Sequence, residues 1–534
     1  MNRREFLRLA GYGSLGAMML PGVSQAAQGS RIPSRPPFGK RLNILILMTD
    51  EQRAVQHWPE SWAHDNLKSL DRLRRHGLNF TSAFTNACQC SPSRATLLTS
   101  TYAPVNGTIR TDGTLDPALP NLAQILSSAG YNVVYKGKWH LNMDYLMPYA
   151  VTNSEQLAAA LMNDQALRDS YGFPGWNSPD AGTTAGGSTP DLLTLGGGVG
   201  GNDARFVSGS NPGDDTANVL QFLDRYDSPD PFCLIVSLVN PHDIFIYPDA
   251  KLFGISGYEI PSFDKLPIEL PPTYDEDLST KPAVQGSFVD ALNTVWPFTS
   301  ESPARLYAQL YAYLTRLADI QLTRILDMLE AKGLTKDTLI VRVADHGEMG
   351  LSHGGLRQKD YTAYEEMIRI PMIFSNPRLF PHPVETECLA GLIDVLPTLI
   401  TVAGLQQERE RWTLQGCDLN PLFSRPHRPI QDRILFTYDD QFLNPQGAGH
   451  IRCIRKKKWK FALYFDPMGN FPTEYEMYDL ANDPLERFNL AYGETPPRYR
   501  RERDRLQSEL NQLMEATGTL PSQYVPPTGG NPQS

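Results

Sequence analysis

Cysteine is scarce in this chain: six in 534 residues, at Cys88, Cys90, Cys233, Cys388, Cys417 and Cys453. Their irregular spacing excludes a disulfide scaffold, and Cys88 and Cys90 stand too close together for a zinc pair. An excess of positive charge is missing too. The net charge is −10, which argues against a nucleic-acid partner, since such a binder wants a basic face. A cleft can still be locally positive within an acidic protein. Beyond the N-terminal segment no apolar run approaches a spanning length, so stable membrane insertion is not expected. Internal repeats are absent. What is present, 41% hydrophobic and 20% charged residues with 43 prolines and 41 glycines, fits a loop-rich globular protein. The length allows one large core and a smaller second domain.

Four apolar runs behave alike. Asn43–Met48 leads to Thr49, Asp50, Glu51 and Gln52. Tyr131–Tyr135 leads to Lys136, Gly137, Lys138, Trp139 and His140. Phe232–Leu238 leads to Asn240, Pro241 and His242. Thr338–Val343 leads to Ala344, Asp345 and His346. The first and third are nearly continuous in Ile, Leu and Val, as strands buried on both faces should be. Helical patterns separate them, at Asn121–Ser128, Thr216–Tyr226 and Ala304–Ala331. This alternation predicts an α/β fold with a large, mostly parallel sheet flanked by helices. Ligands in such sheets bind beyond the carboxyl ends of the strands, and all four runs end there in charged or imidazole residues.

Residues 172–215 are rich in Gly, Ser, Pro and Asp, and residues 244–300 are irregular and proline-containing. Both read as long loops over the active-site edge, where substrate choice is usually built. Composition changes near residue 430. Strand-like pieces follow at Ile434–Tyr438, His450–Ile454 and Trp459–Tyr464, then a helix from about Arg498 to Ala516 with Tyr499, Leu506, Leu510 and Leu513 on one face. The expected division is a catalytic domain over 27–430 and a small antiparallel-sheet α+β domain over 431–534. The tail after Gly518 reads as disordered.

Cys90 opens the run Cys90-Ser91-Pro92-Ser93-Arg94-Ala95-Thr96-Leu97-Leu98-Thr99. Pro92 suits the first position of a helix and Ser91 its N-cap. Cys90 would then lie just ahead of a helix N-terminus, where free N–H groups favour an anion and would lower a thiol pKa. Arg94 adds a fixed positive charge. Asp50 and Asp345 end two strands as a metal site needs. Carboxylate oxygens select Ca²⁺ or Mg²⁺, and the imidazole of His346 widens the choice toward Mn²⁺ or Zn²⁺.

Cys-X-Pro-Ser-Arg with Leu97-Leu98-Thr99 resembles the signature of the type I sulfatases, in the alkaline-phosphatase-like superfamily. Thr49-Asp50-Glu51-Gln52, Gly137-Lys138-Trp139-His140-Leu141, Pro241-His242, Asp345-His346-Gly347 and Lys359 with Tyr364-Glu365 resemble further motifs of that family, in order, from Asn43 to about Leu490. The resemblance implies that Cys90 is oxidised to formylglycine by a maturation enzyme. It implies a divalent metal, Ca²⁺ first with Mn²⁺ or Mg²⁺ as alternatives, held by Asp50, Glu51, position 90, Asp345 and His346. The catalytic residues it implies are Cys90, Arg94, Lys138, His140, His242 and Lys359. A hydroxyl of the hydrated aldehyde attacks sulfur, Lys138 and Lys359 neutralise the sulfuryl oxygens, His242 or Lys359 protonates the leaving alcohol, and His140 takes the last proton. Glu51 stands where many members carry Asp, and His346 where many carry Asn. The aromatic follows Lys359 by five positions rather than four, which makes Arg357 the fallback for that role. His353 is expected to support the loop.

The expected activity is hydrolysis of a small-molecule or glycan sulfate ester. Hydrolysis of a phosphate or phosphonate ester by the same chemistry is the first alternative, and a non-catalytic binding relative the second. Asn2–Arg8 resembles a twin-arginine export signal, with Ser24-Gln25-Ala26 as the cleavage region. That implies removal of residues 1–26, a periplasmic or secreted location, and oxidation of Cys90 before folded export.

Overall fold

Asn43–Asp50 (β1) is buried from its second residue onward. Its alternate side chains feed two separate cores: Ile44, Ile46 and Met48 join one, Leu45 and Leu47 the other. This two-sided burial follows from a run of Ile and Leu with no polar alternation. The computed structural model describes residues 41–54, 56–111, 113–141, 168–176, 202–209, 218–247, 266–298 and 301–521. Residues 1–40, where the export signal is expected over 1–26, much of the two long loop stretches, and the chain from 522 lie outside the described residues.

The large sheet contains β1, Gly77–Phe80 (β2), Asn132–Gly137 (β3), Phe232–Pro241 (β4), Thr338–Ala344 (β5), Met372–Ser375 (β6) and Val384–Thr386 (β7), in the order β3-β4-β1-β5-β6-β2-β7. Its central pairs β3–β4, β4–β1 and β1–β5 are parallel, and β6 alone runs against its neighbours. Lys68–Arg75 (α1), Val219–Arg225 (α4) and Glu301–Ala331 (α5) cover one face. Cys90–Thr99 (α2), Leu122–Ser128 (α3) and Val395–Val402 (α6) cover the other. The mostly parallel α/β architecture is as expected. Register puts the functional ends side by side, because Thr49 pairs with Ala344, Asp50 with Pro241 and Gly137 with Ser237.

The stretch over 244–300 is not wholly irregular, since Ala283–Val295 is helical. Its buried Val284, Phe288 and Leu292 recur at a spacing of four, a helical stripe. Asn202–Val207 is likewise helical inside the glycine-rich stretch.

A second sheet contains Arg433–Tyr438 (β8), His450–Lys456 (β9), Trp459–Phe465 (β10) and Glu474–Asp479 (β11) as an antiparallel meander. Its fifth strand comes from far upstream: Ala87–Cys88 pairs in parallel with Thr437–Tyr438. The small sheet therefore holds the backbone two residues before Cys90. Pro497–Thr517 (α7) buries Leu506, Leu510 and Met514, so Met514 takes the core position expected for Leu513.

Candidate active site

Helix α2 starts at Cys90 itself, after Gln89, and no side chain caps it. The expected N-cap at Ser91 is not formed. The Ser91 hydroxyl lies 2.6 Å from the carbonyl of His140 and 2.5 Å from that of Thr111, which ties the helix start to the β3 end instead. Pro92 sits within the first turn, where no N–H is needed.

The Cys90 Sγ stands 3.2 Å from His346 Nε2, 3.5 Å from Asp50 Oδ1 and 3.7 Å from Lys138 Nζ. The expectation of a lowered thiol pKa is overturned. Burial, aided by the Asp50 charge and opposed by Lys138 and Lys359, pushes the thiol up to about 11.

Asp50, Cys90, Asp345 and His346 each bring a donor atom to within 4.8 Å of the others'. The His346 Nδ1 lies 2.9 Å from the carbonyl of Gly347. Donation there turns the lone pair of Nε2 toward Asp50 Oδ1 and Asp345 Oδ1, each 3.8 Å away. Glu51, grouped with them by motif, divides from them in space. Its N–H donates to Asp345 Oδ1 at 3.0 Å, while its carboxylate meets Lys359 Nζ at 2.6 Å. It joins a second group with Asp50 and His242. Its Oε1 is buried without a hydrogen-bond partner among the described residues, and burial followed by Glu348, against the pull of Lys359, holds its pKa well above the usual carboxylate range.

Arg94 is the central cation. Its Nη2 reaches Asp50 Oδ2 at 3.1 Å and Asp345 Oδ2 at 2.9 Å, and Nε adds a bond to the same Asp345 oxygen at 3.1 Å. Its Nη1 donates to the Lys138 carbonyl at 2.7 Å and to Ser237 Oγ at 2.8 Å. The Lys138 ammonium pairs with Asp50 Oδ2. These opposite charges lower the Asp50 pKa although burial opposes it, and they raise that of Lys138 in the same way. Gly137 makes the crossing possible: its φ is +102°, and a Cβ there would stand 1.9 Å from the Ser237 carbonyl.

Burial and the Lys138 charge hold both His140 and His242 well below the usual histidine pKa, so both imidazoles are neutral at pH 7. Lys359 keeps its proton, its pKa raised by Cys90 and Glu51 against the cost of burial. Its segment is fixed by Glu348, whose Oε1 accepts from Tyr307 Oη at 2.6 Å and from the Gln358 N–H at 2.9 Å. The fallback Arg357 points elsewhere, bonding Asn293 Oδ1 and the Trp296 carbonyl.

Two further contributors are not marked by any motif. Ser237, which anchors Arg94, is one polar residue inside an apolar strand and carries no signal. Asp203 accepts from the N–H groups of Val239 at 2.6 Å and Asn240 at 3.1 Å, fixing the strand end before His242. It lies in a stretch expected to be loop.

Residues 42–405 match the Sulfatase family, and residues 354–516 match N-sulphoglucosamine sulphohydrolase, C-terminal. The chain belongs to the sulfatase family. An uncharacterized sulfatase of Escherichia coli, YidJ, is 26% identical over 463 residues, 84% of this chain and 83% of that protein. Two solved structures share the fold. A 2-O GAG sulfatase superimposes with a TM-score of 0.64 at 20% identity, covering 90% of this chain and 93% of that one. The phosphonate monoester hydrolase of Agrobacterium radiobacter does so at 0.59 and 19% identity, covering 89% and 96%.

In this sulfatase-family chain the two candidates at the 357–359 segment are separable by mutation. Lys359→Ala should lower kcat/KM by about 10²–10³, the scale of losing one preorganised positive donor. Arg357→Ala should cost less toward a small aryl ester in the same assay.

His353, expected to support the loop, bonds Glu276 Oε2 at 2.7 Å, stands 3.5 Å from Glu366 Oε2, and stacks on Tyr364 with centroids 3.7 Å apart. These carboxylates raise its pKa to about 9 despite burial. The folded state therefore binds the proton more tightly than the unfolded chain, whose histidine titrates near 6.5. The stabilisation is complete below about pH 6.5 and lost as pH rises through 9. It amounts to about 3 kcal/mol. Thermal melts from pH 6.5 to 9 should show wild type losing stability that His353→Gln never had.

Proposed function

We propose that this protein hydrolyses organic sulfate esters, with formylglycine at position 90 and a divalent cation between β1 and β5. One observation carries the reading: Cys90 at a helix start faces two strand-end carboxylates, an oriented imidazole and the ammonium of Lys138. The donor set of Asp50, Asp345 and His346 fits a hard or borderline cation. Glu51, whose carboxylate meets Lys359, lies with Asp50 and His242 rather than in this donor set. When bound, such a cation polarises the ester's oxygens as a Lewis acid. Formylglycine supplies a hydrated aldehyde as the nucleophile. Burial keeps the Cys90 thiol protonated and so a poor nucleophile, which favours a different reacting group at this position.

The chain's own residues do the rest. Lys138 and Lys359 place two positive charges on the sulfuryl group. Arg94 holds Asp50 and Asp345 in register. His140, held neutral, accepts a proton. His242 or Lys359 donates the proton to the departing alcohol. Maturation by a formylglycine-generating enzyme in the cytoplasm, followed by twin-arginine export to the periplasm, fits residues 2–26.

The fold shared with a phosphonate monoester hydrolase keeps phosphate or phosphonate esters as the second reading. Hydrolysis of 4-nitrophenyl sulfate by matured enzyme with added Ca²⁺ or Mn²⁺ should exceed that of 4-nitrophenyl phosphate and phenylphosphonate in kcat/KM. The reverse order would replace the sulfate reading by the second one.

A further inference from the structure

Beyond His242 the site changes from charged to aromatic. Phe245, three residues on in the turn that follows β4, stacks near the His242 ring at 6.0 Å between centroids and 22° between planes. Two other rings converge on Phe245 from distant parts of the chain. Trp296, at the end of helix Ala283–Val295, meets it at 5.5 Å and 74°. Phe442, after β8, meets it at 6.2 Å and 53°. All three rings are half-buried, so each still shows apolar surface. Phe442 is backed by Phe288 at 6.3 Å, which fixes it in place.

An open aromatic cluster beside charged groups is unusual, because water contacts its rings at a cost that burial would remove. Here it adjoins His242, which shares a ligand group with Asp50 and Glu51. A ring-bearing ligand held at that centre would remove the cluster from water. Arg357 adds a sign to the cluster. Its guanidinium bonds the Trp296 carbonyl at 2.6 Å and lies 4.1 Å from the centre of the Phe298 ring. A fixed positive charge behind the rings opposes a cationic ligand, although aromatic rings alone would welcome one.

We propose that Phe245, Trp296 and Phe442 form the subsite for the alcohol half of the substrate, and that this alcohol carries a neutral or anionic ring. The shared chemistry is an apolar face, offered either by an aryl ring or by the C–H face of a pyranose. This rests on the sulfate-ester reading of the same site and narrows it, setting small acyclic and quaternary ammonium alcohols aside.

The test compares four esters of alcohols of similar acidity on matured enzyme, so that leaving-group strength does not set the order: benzyl sulfate, glucose 6-sulfate, ethyl sulfate and choline sulfate. At least one ring ester should exceed both acyclic esters in kcat/KM by about tenfold or more, and which one does so identifies the source of the ring. Trp296→Ala and Phe442→Ala should each lower that ring-over-acyclic ratio about tenfold, the scale of one aromatic stacking contact, chiefly through KM. Trp296→Leu, which keeps bulk without the ring face, guards against a packing effect and should lower the ratio as well. A preference for choline or ethyl sulfate overturns the proposal. So does a ratio unchanged in the variants, or an equal loss on every ester. If no sulfate ester is turned over but phosphonate esters are, the sulfate reading fails by itself, and ethyl and phenyl phosphonate esters test the aromatic subsite by the same ratio.

Discussion

Cys90→Ala should lower kcat by about 10⁴-fold or more, the loss seen when a covalent nucleophile is removed, while leaving the melting temperature within a few degrees. The fold survives because the side chain lost is small and its neighbours are held by other bonds: Asp50 and Asp345 by Arg94, and His346 by Gly347. Hydrolysis of 4-nitrophenyl sulfate together with thermal melting separates the two effects. A Cys90→Ala variant that retained a tenth of the activity would remove position 90 from the chemistry.

Arg94→Met should have the largest effect on stability. Arg94 is 1% exposed and joins two carboxylates that are both fully buried. Removing one partner of a buried ionic cluster costs about 3–5 kcal/mol, because the remaining charges lie uncompensated in a low-dielectric interior. Lys138 still pairs with Asp50, so Asp345 bears most of the penalty. A divalent cation bound between the same carboxylates, as proposed above, would offset it. Melting with EDTA and with millimolar Ca²⁺ should show a deep loss for the variant without metal and a larger metal-induced gain than in wild type. Equal gains in both proteins would detach Arg94 from the cation site.

The site was legible where the chain writes it at strand ends. Asp50, Lys138, His242 and Asp345 each follow an apolar strand, and parallel pairing brings such ends to one edge whatever the loops do. The Cys90 region shows where that legibility stops. Composition suggested Ser91 as a cap, but its hydroxyl goes to His140 and Thr111 because the β3 end packs against the helix start. The helix N-terminus suggested an acidic thiol, and burial outweighs it. Spacing left Lys359 and Arg357 open. Glu348 holds the backbone at Gln358, with Lys359 facing Glu51 and Arg357 turned to Asn293 and Trp296. Helix Ala283–Val295 was hidden by the prolines just before it. Its stripe of Val284, Phe288 and Leu292 was readable but sat in a segment read as loop. The strand Ala87–Cys88 was not readable at all, since two residues carry no period and their partner, Thr437–Tyr438, lies far along the chain.

The most direct measurement is the mass of the tryptic peptide containing position 90, taken on wild-type protein produced with and without a formylglycine-generating enzyme and set against turnover of 4-nitrophenyl sulfate. Conversion removes one sulfur and two hydrogens and adds one oxygen. Turnover should rise in proportion to the converted fraction and approach zero with it. Full turnover by protein whose Cys90 remains a thiol would contradict the account.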